Sequence, residues 1–166
     1  MGGGYYNLAN GYHAVLVGGN QNKALGDRSF VGGGTTNTAS TTYAVVVGGR
    51  NNLASGNRSF VGGGQGNTSF AMYSVVVGGK QNLSNGSCSF IGGGRKNTAG
   101  VYYSVVVGGY NNAVTAYYYS SIVGGKNNII SRQQSFIGGG LENSVSEGNS
   151  RRWCRRFRHK PEATGC

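Results

Sequence analysis

Acidic and basic catalytic residues are scarce in this chain, which has four Asp and Glu and two His among 166 residues. Hydrolases commonly work with a pair of carboxylates or with a base beside a nucleophile. Neither His13 nor His159 has partners in the sequence that would complete such an arrangement. We therefore predict no catalytic residues and a protein that is not an enzyme.

Cysteines and long apolar runs are also few. The three cysteines, Cys88, Cys154 and Cys166, are odd in number and far apart, which excludes a disulfide framework and a cysteine metal site. No apolar run approaches the ~20 residues that a membrane-spanning helix requires. The first residues lack the basic and apolar parts of a signal peptide. We expect no metal, no cofactor and no transmembrane segment.

Glycine, by contrast, accounts for 33 residues, against a single proline. So much glycine is typical either of a disordered low-complexity chain or of a structure with many tight turns. A Walker A loop needs Ser or Thr after its Lys, which VGGKQN and VGGKNN lack. Calcium-binding turns need an Asp in every repeat, and the chain has only Asp27. The glycine clusters therefore predict structural turns.

An asparagine follows every glycine cluster at a nearly fixed step. The step is 15 residues each time but once, when it is 16. Such repetition is the signature of a repeat architecture, and asparagine ladders bond amide to amide along a stack of coils. We predict a structural ladder formed by Asn7, Asn22, Asn37, Asn52, Asn67, Asn82, Asn97, Asn112, Asn128 and Asn143.

The glycine clusters show a second regularity besides the asparagine step, because short GG and long GGG clusters alternate. The steps between the apolar residues that open them alternate as well, being shorter from Val17 to Val31 than from Val31 to Val47. Like side chains recur in every second half, and the Phe residues before glycine clusters all precede long ones. A unit of about 30 residues therefore consists of two unequal halves. The slot six positions after the ladder asparagine reads Arg28, Tyr43, Arg58, Tyr73, Cys88 and Tyr103.

Each half contains an apolar run such as SFVG or YSVVVG, rich in Val, Phe and Tyr and too short for a helix. These runs predict an all-β parallel β-solenoid. The asparagine step favours a 15-residue coil, and the alternation of halves favours a coil twice as long. We predict coils of about 15 residues within a 30-residue double repeat, which gives a rod of roughly 48 Å at ~4.8 Å per coil.

The segments SFVGGGQGNTSFAMYSVVVGGKQNLSNGSCSFIGGG and YAVVVGGRNNLASGNRSFVGGG resemble the head repeats of trimeric autotransporter adhesins and of related phage and virus fibre proteins. The shared signature is a strand of Ser, an apolar residue, Val or Ile, and Gly, followed by N-x-A/S-x-G. The resemblance covers residues 1 to about 150. It implies a left-handed parallel β-roll, assembled as a trimer, with a role in surface attachment. The 15-residue step, the richer glycine clusters and the lack of a heptad stalk leave other fibre and filament interpretations open.

Two sets of recurring side chains are candidates for ligand binding. Basic and aromatic columns on a rigid rod suit an anionic glycan, which they can bind by charge and stacking. The alternative is that they serve solubility and the stacking of coils. The predicted basic column is Arg50, Lys80 and Lys126, and the predicted aromatic column is Tyr43, Tyr73, Tyr103 and Tyr118.

The C-terminal segment 151–166 differs in composition from the repeat domain of residues 1–150. It carries six of the 15 Lys and Arg side chains. We expect a disordered basic tail, and only through this tail do we expect contact with nucleic acid. A frameshift is another hypothesis, because codons for RRWCRRFRHK can encode VVGVGGFGTN when read one nucleotide later.

The repeat begins at the first residue and breaks off near Ser150, so no cap is expected at either end. From these features we predict a structural and adhesive segment of a surface fibre, located outside the cell or on a cell or virion surface. Its expected partners are further copies of itself and a host-surface or anionic glycan. The alternative is an extracellular filament subunit whose uncapped coils stack head to tail.

Overall fold

The computed structural model describes residues 3–146 and the backbone of a short strand at 153–156. The described chain is all β and winds as a parallel β-solenoid, so the predicted fold class is confirmed. Each coil places one strand in a first sheet and one in a second sheet, and each sheet has ten parallel strands in sequence order. The trimeric assembly stays a prediction.

The strands of the first sheet are β1 (Leu8–Ala9), β3 (Lys23–Ala24), β5 (Thr38–Ala39), β7 (Leu53–Ala54), β9 (Thr68–Ser69), β11 (Leu83–Ser84), β13 (Thr98–Ala99), β15 (Ala113–Val114), β17 (Ile129–Ile130) and β19 (Ser144–Val145). Those of the second sheet are β2 (Val15–Leu16), β4 (Phe30–Val31), β6 (Val45–Val46), β8 (Phe60–Val61), β10 (Val75–Val76), β12 (Phe90–Ile91), β14 (Val105–Val106), β16 (Ser121–Ile122), β18 (Phe136–Gly140) and β20 (Trp153–Arg156). Nearly all are two residues long, because a corner follows at once.

The register of the paired strands establishes the 15-residue coil. Phe60 pairs with Val75, and Val61 pairs with Val76. One coil contains an extra residue, and it lies between β14 and β16, where Val105 pairs with Ser121. The 30-residue alternation is therefore a change of side chains between successive coils rather than a longer coil.

The alternating steps between cluster-opening residues have a simple origin. The residue that opens a short cluster, such as Val77, follows the paired residues of its strand and is 48 % exposed. The residue that opens a long cluster, such as Val61, is fully buried inside the coil. The residues that open short and long clusters therefore occupy two different positions in the coil. In the paired strands, Phe60 corresponds to Val75.

The interior of the solenoid is narrow and is filled by one side chain from each strand together with the asparagine and serine ladders. The second sheet contributes Val, Ile or Leu, and the first sheet contributes mostly Ala, Ser, Val or Ile, with buried residues at nearly every coil. Burial of one Val or Ile side chain stabilises the fold by about 1.5–3 kcal/mol. The two core clusters cover residues 16–61 and 76–145.

The boundary predicted at residue 150 and the predicted disordered tail at 151–166 lie outside the described residues, apart from the backbone of β20. That strand pairs with β18, with Trp153 beside Phe136.

Candidate functional site

The ladder asparagines lie one per coil at the corner that leads from the second sheet to the first, and Asn82 shows their bonding. Its backbone N–H donates to Oδ1 of Asn67, and its own Oδ1 accepts from the backbone N–H of Asn97, both at 3.0 Å. Its Nδ2 donates to the carbonyl oxygens of Gly78 (2.9 Å) and Gly94 (3.0 Å). Three hydrogen bonds thus satisfy a fully buried amide, which is the condition for burying one without a penalty.

The predicted amide-to-amide bonding is wrong for most of the ladder. The bonds run from side chain to backbone, because each Oδ1 faces the next coil's N–H and each Nδ2 faces glycine carbonyls. Bonds between side-chain amides occur only near the C-terminal end of the ladder. There Nδ2 of Asn128 donates to Oδ1 of Asn112, and Nδ2 of Asn143 donates to Oδ1 of Asn128, both at 3.0 Å.

The surroundings of the last glycine in each cluster explain why no other residue fills that position. Gly49 has φ +88°, and a Cβ there would clash with the carbonyl oxygen of Gly64 in the next coil and lie 2.7 Å from Nδ2 of Asn52. Its neighbour Gly48 has nothing within 4 Å of such a Cβ. One glycine of the pair is therefore required by the stacking of coils and the other is not.

The corner between the first and second sheets carries a stack of outward side chains that we call the Arg–Tyr column. The Arg58 guanidinium carbon lies 5.4 Å from the ring centroids of both Tyr43 and Tyr73. The Arg28 guanidinium carbon lies 5.5 Å from the Tyr43 ring, so that ring is held between two cations. The column consists, in coil order, of His13, Arg28, Tyr43, Arg58, Tyr73, Cys88, Tyr103, Tyr119 and Gln134.

The arginines of this column are the members that the sequence analysis left without a binding role. The sequence places Arg28 and Arg58 in the same slot as the tyrosines, but only the tyrosines were predicted to bind a ligand. Because the coil is the 15-residue one, that shared slot puts Arg and Tyr in adjacent coils, where cation–π contacts form. The 15-residue step therefore held the signal that identifies them.

The 16-residue coil changes the composition of the column. Tyr119 stacks on Tyr103, with ring centroids 4.9 Å apart and planes 7° apart. Tyr118, which the sequence analysis assigned to the column, instead lies edge-on to Tyr102 at 5.6 Å. Counting 15 from residue 103 ends one residue short, because the extra residue lies within this corner, between Val114 and Ser121. Both Tyr117 and Tyr119 have a left-handed backbone there, with φ 62° and 60°.

The predicted basic residues lie in one column at the opposite corner, between the second sheet and the first. Parallel bridges link Arg50, Gln65, Lys80, Arg95, Tyr110 and Lys126 in successive coils, and we call this line the basic column. The Tyr110 ring lies 5.9 Å from the Arg95 guanidinium carbon and 5.7 Å from Nζ of Lys126. Arg95 lies outside the predicted column because the prediction rested on the short clusters, and Arg95 follows a long one.

The outward side chains of the second sheet form a continuous surface that we call the apolar face. Val47, Val77 and Val107 are each 48 % exposed. In coils with Phe at the first outward slot, glycine fills the second. A Cβ on Gly62 would clash with the carbonyl oxygen of Val77 in the next coil and would lie 3.2 Å from the Phe60 ring. The ring lies beside the glycine, so the surface stays even. The face consists of Val15, Val17, Phe30, Val45, Val47, Phe60, Val75, Val77, Phe90, Val105, Val107, Val123 and Phe136.

The chain matches no protein-family model, and none of the curated proteins matches it at a significant level. The resemblance to adhesin head repeats accordingly stays a prediction. In the described part of the chain there is no helix of the length and apolar character needed to cross a membrane. Within residues 3–146, no three His, Cys, Asp or Glu side chains gather as metal ligands would.

Proposed function

We propose that this chain is a structural and adhesive segment of a surface fibre, built from rods that associate side by side. The observation that carries the proposal is the apolar face. At ~4.8 Å per coil the face is about 40 Å long, and a width of about 10 Å gives it about 400 Å². The largest apolar patch of a typical soluble monomer is of about this size and is often functional, so the apolar face is a candidate interaction surface.

A second copy of the same chain is the partner that the charges favour. The protein has a formal net charge of +11, so two copies repel each other over most of their surfaces. The apolar face carries no charged side chain among the described residues, and Ser121 is the one polar residue in its rows. Association through this face therefore buries apolar surface where like charges are absent. The resemblance to adhesin heads predicts that three rods assemble.

Charged substitutions on the apolar face test this assembly. The triple variant Val47→Asp, Val77→Asp, Val107→Asp introduces three carboxylates at half-exposed outward positions without touching the interior. We expect wild-type chains to sediment as trimers and the triple variant as monomers with an unchanged β-sheet circular dichroism spectrum. Buried carboxylates without partners cost several kcal/mol each, which is enough to abolish the interface.

A matched control carries the same charges in the same three coils. Asn51, Gln81 and Asn111 each follow one of these valines by four residues, and all three are exposed at the corner of the basic column. The variant Asn51→Asp, Gln81→Asp, Asn111→Asp should still sediment as a trimer. A monomeric wild type, or a trimeric triple-Val variant, would contradict assembly through the apolar face.

Electron microscopy of the same samples separates the fibre segment from the filament alternative. Discrete short rods support the fibre segment, and long threads that persist in the triple-Val variant support head-to-tail stacking. A location outside the cell or on a virion surface and the lack of catalysis are parts of the same proposal. Hydrolysis of a polysaccharide by the purified chain, abolished by a point substitution, would overturn the non-enzymatic part.

A further inference from the structure

The Arg–Tyr column holds its charged groups in place before any ligand arrives. Arg58 lies between the Tyr43 and Tyr73 rings, and its Nη1 donates to the Tyr73 hydroxyl (3.0 Å) and to Oδ1 of Asn57 (3.3 Å). A free arginine side chain loses rotamer entropy when it binds an anion, and ordering it beforehand removes part of that cost. Nε and Nη2 of Arg58 donate to no described residue, so they are available to an anion.

The column holds two cations at a defined distance. Arg28 and Arg58 are two coils apart, which is about 10 Å along the rod, and the Tyr43 ring lies between them. Of the acidic side chains in the described residues, only Asp27 belongs to a neighbouring position, and it accepts a hydrogen bond from the backbone of Tyr12. Arg58 therefore has no carboxylate competing with an external anion.

The stacking of arginines on the Tyr43 ring also bears on which polyanion suits the site. Both faces of the Tyr43 ring are occupied by guanidinium groups, so the bases of a nucleic acid have no free face on which to stack. The tyrosines present ring edges and hydroxyl groups to solvent, with Tyr43 and Tyr73 41 % and 46 % exposed. A ligand with anionic groups at regular intervals and hydroxyl groups between them uses both kinds of side chain.

We propose that the Arg–Tyr column binds a linear acidic polysaccharide that lies along the rod. Arg28 and Arg58 each hold one anionic group with the planar guanidinium fork, and the hydroxyl groups of Tyr43 and Tyr73 bond the sugar hydroxyl groups. The distance of about 10 Å between the two arginines suits anionic groups that lie two sugars apart along the polymer. This inference rests on the attachment role proposed above and names its ligand class and site.

Binding of the full chain to immobilised polysaccharides tests the proposal by surface plasmon resonance. The probes are polygalacturonate for carboxylates, heparin for sulfates, dextran as a neutral polymer, polyphosphate as an anion without sugars, and single-stranded DNA. Arg28→Lys with Arg58→Lys keeps the charge but removes the planar forks. We expect it to weaken binding to polygalacturonate or heparin about tenfold or more, since each bidentate fork becomes a point charge.

The control makes the same exchange at an arginine outside both columns. Arg132, whose Nε donates to the carbonyl oxygen of Ser146 (3.0 Å), keeps its charge in the variant Arg132→Lys, which should leave polysaccharide binding within about twofold of wild type. Tyr43→Phe keeps the stacked ring and leaves the bond between Arg58 and the Tyr73 hydroxyl intact. We expect it to weaken polysaccharide binding without changing polyphosphate binding. Stronger binding to polygalacturonate than to heparin would assign carboxylates as the anions, and the reverse order would assign sulfates.

Several outcomes would overturn the inference. They are equal losses in the two Arg→Lys variants, wild-type binding that follows polyphosphate alone, and wild-type binding to single-stranded DNA that the Arg28→Lys, Arg58→Lys variant abolishes. Sedimentation of the same samples keeps the two proposals apart. Wild-type trimers that bind no acidic polysaccharide would refute this site and leave the fibre role standing. Monomers that bind it would refute the assembly and leave the site standing.

Discussion

The interior of the solenoid and its outer surface follow different periods. Interior slots repeat in every coil with little change, as in the buried Val46, Val61 and Val76 of successive coils. Outer slots repeat only in every second coil. On the first sheet, for example, Thr68 lies beside the different residue Leu83 in the next coil. The interior faces the same environment in every coil, whereas an outward side chain is free to differ. The shorter period therefore belongs to the fold, and the longer one carries what the fold does not require.

The largest expected effect comes from positions that face the next coil. Gly49→Ala would place a methyl group against the Gly64 carbonyl oxygen at a left-handed φ. We expect it to lower the free energy of unfolding by at least about 3 kcal/mol, from backbone strain and overpacking together. Gly48→Ala, one residue away in open space, is the control and should change it by less than about 1 kcal/mol. Thermal and urea unfolding measure both, and equal losses would break the distinction.

The next effect concerns the asparagine ladder. Asn82→Ala removes three hydrogen bonds and leaves the buried N–H of Asn97 and the carbonyl oxygen of Gly78 without these partners, whereas the Gly94 carbonyl keeps its bond from the Lys80 N–H. We expect a loss of about 2–3 kcal/mol, since unsatisfied buried polar groups carry the full cost of desolvation. Asn85→Ala in the same coil alters an exposed side chain and should be nearly neutral. A similar result for the two variants in urea unfolding would show that the ladder does not stabilise the fold.

The smallest expected effect on the free energy of unfolding concerns two serines that occupy the same interior slot in neighbouring coils. The Ser74 hydroxyl bonds to Oγ of Ser69 (2.6 Å) and to the carbonyl oxygen of Ala71 (2.7 Å). The Ser59 hydroxyl is buried without a partner among the described residues, and Ala44 fills the same slot elsewhere. We expect Ser74→Ala to destabilise by about 1 kcal/mol and Ser59→Ala to be neutral or stabilising. Opposite signs in calorimetry would sharpen the comparison, and destabilisation by Ser59→Ala would contradict it.

Much of this fold could be predicted because stacked coils force identical residues into identical environments. The Asn step between Asn67 and Asn82 gave the coil length directly, and the short Val- and Phe-rich runs gave the strands. The alternation of halves misled the comparison of glycine clusters, because the chain itself does not show whether Val61 or Val77 points inward. That choice follows from pleating, in which successive side chains point to opposite faces.

The candidate ligand surface was less accessible from the sequence. Counting by 15 placed Tyr118 beside Tyr103, whereas the extra residue of one coil brings Tyr119 there instead. The contact between Arg58 and its two flanking tyrosines depends on adjacent coils being about 5 Å apart, which a linear pattern does not express. The reason for Gly62 likewise lies in the stacked coils, because a Cβ there would meet the carbonyl oxygen of Val77 in the next coil as well as the Phe60 ring.

The sequence by itself determined the period, the strand content and the asparagine ladder, because each of these is a repeat of residue type along one dimension. The tertiary structure alone decided which slots face inward, which side chains stack and where the surface is continuous and apolar. The physical reason is that residues 15 positions apart become neighbours only after the coils close and their backbones pair. The Arg–Tyr column and the apolar face exist only at that level, and the proposed binding and assembly rest on them.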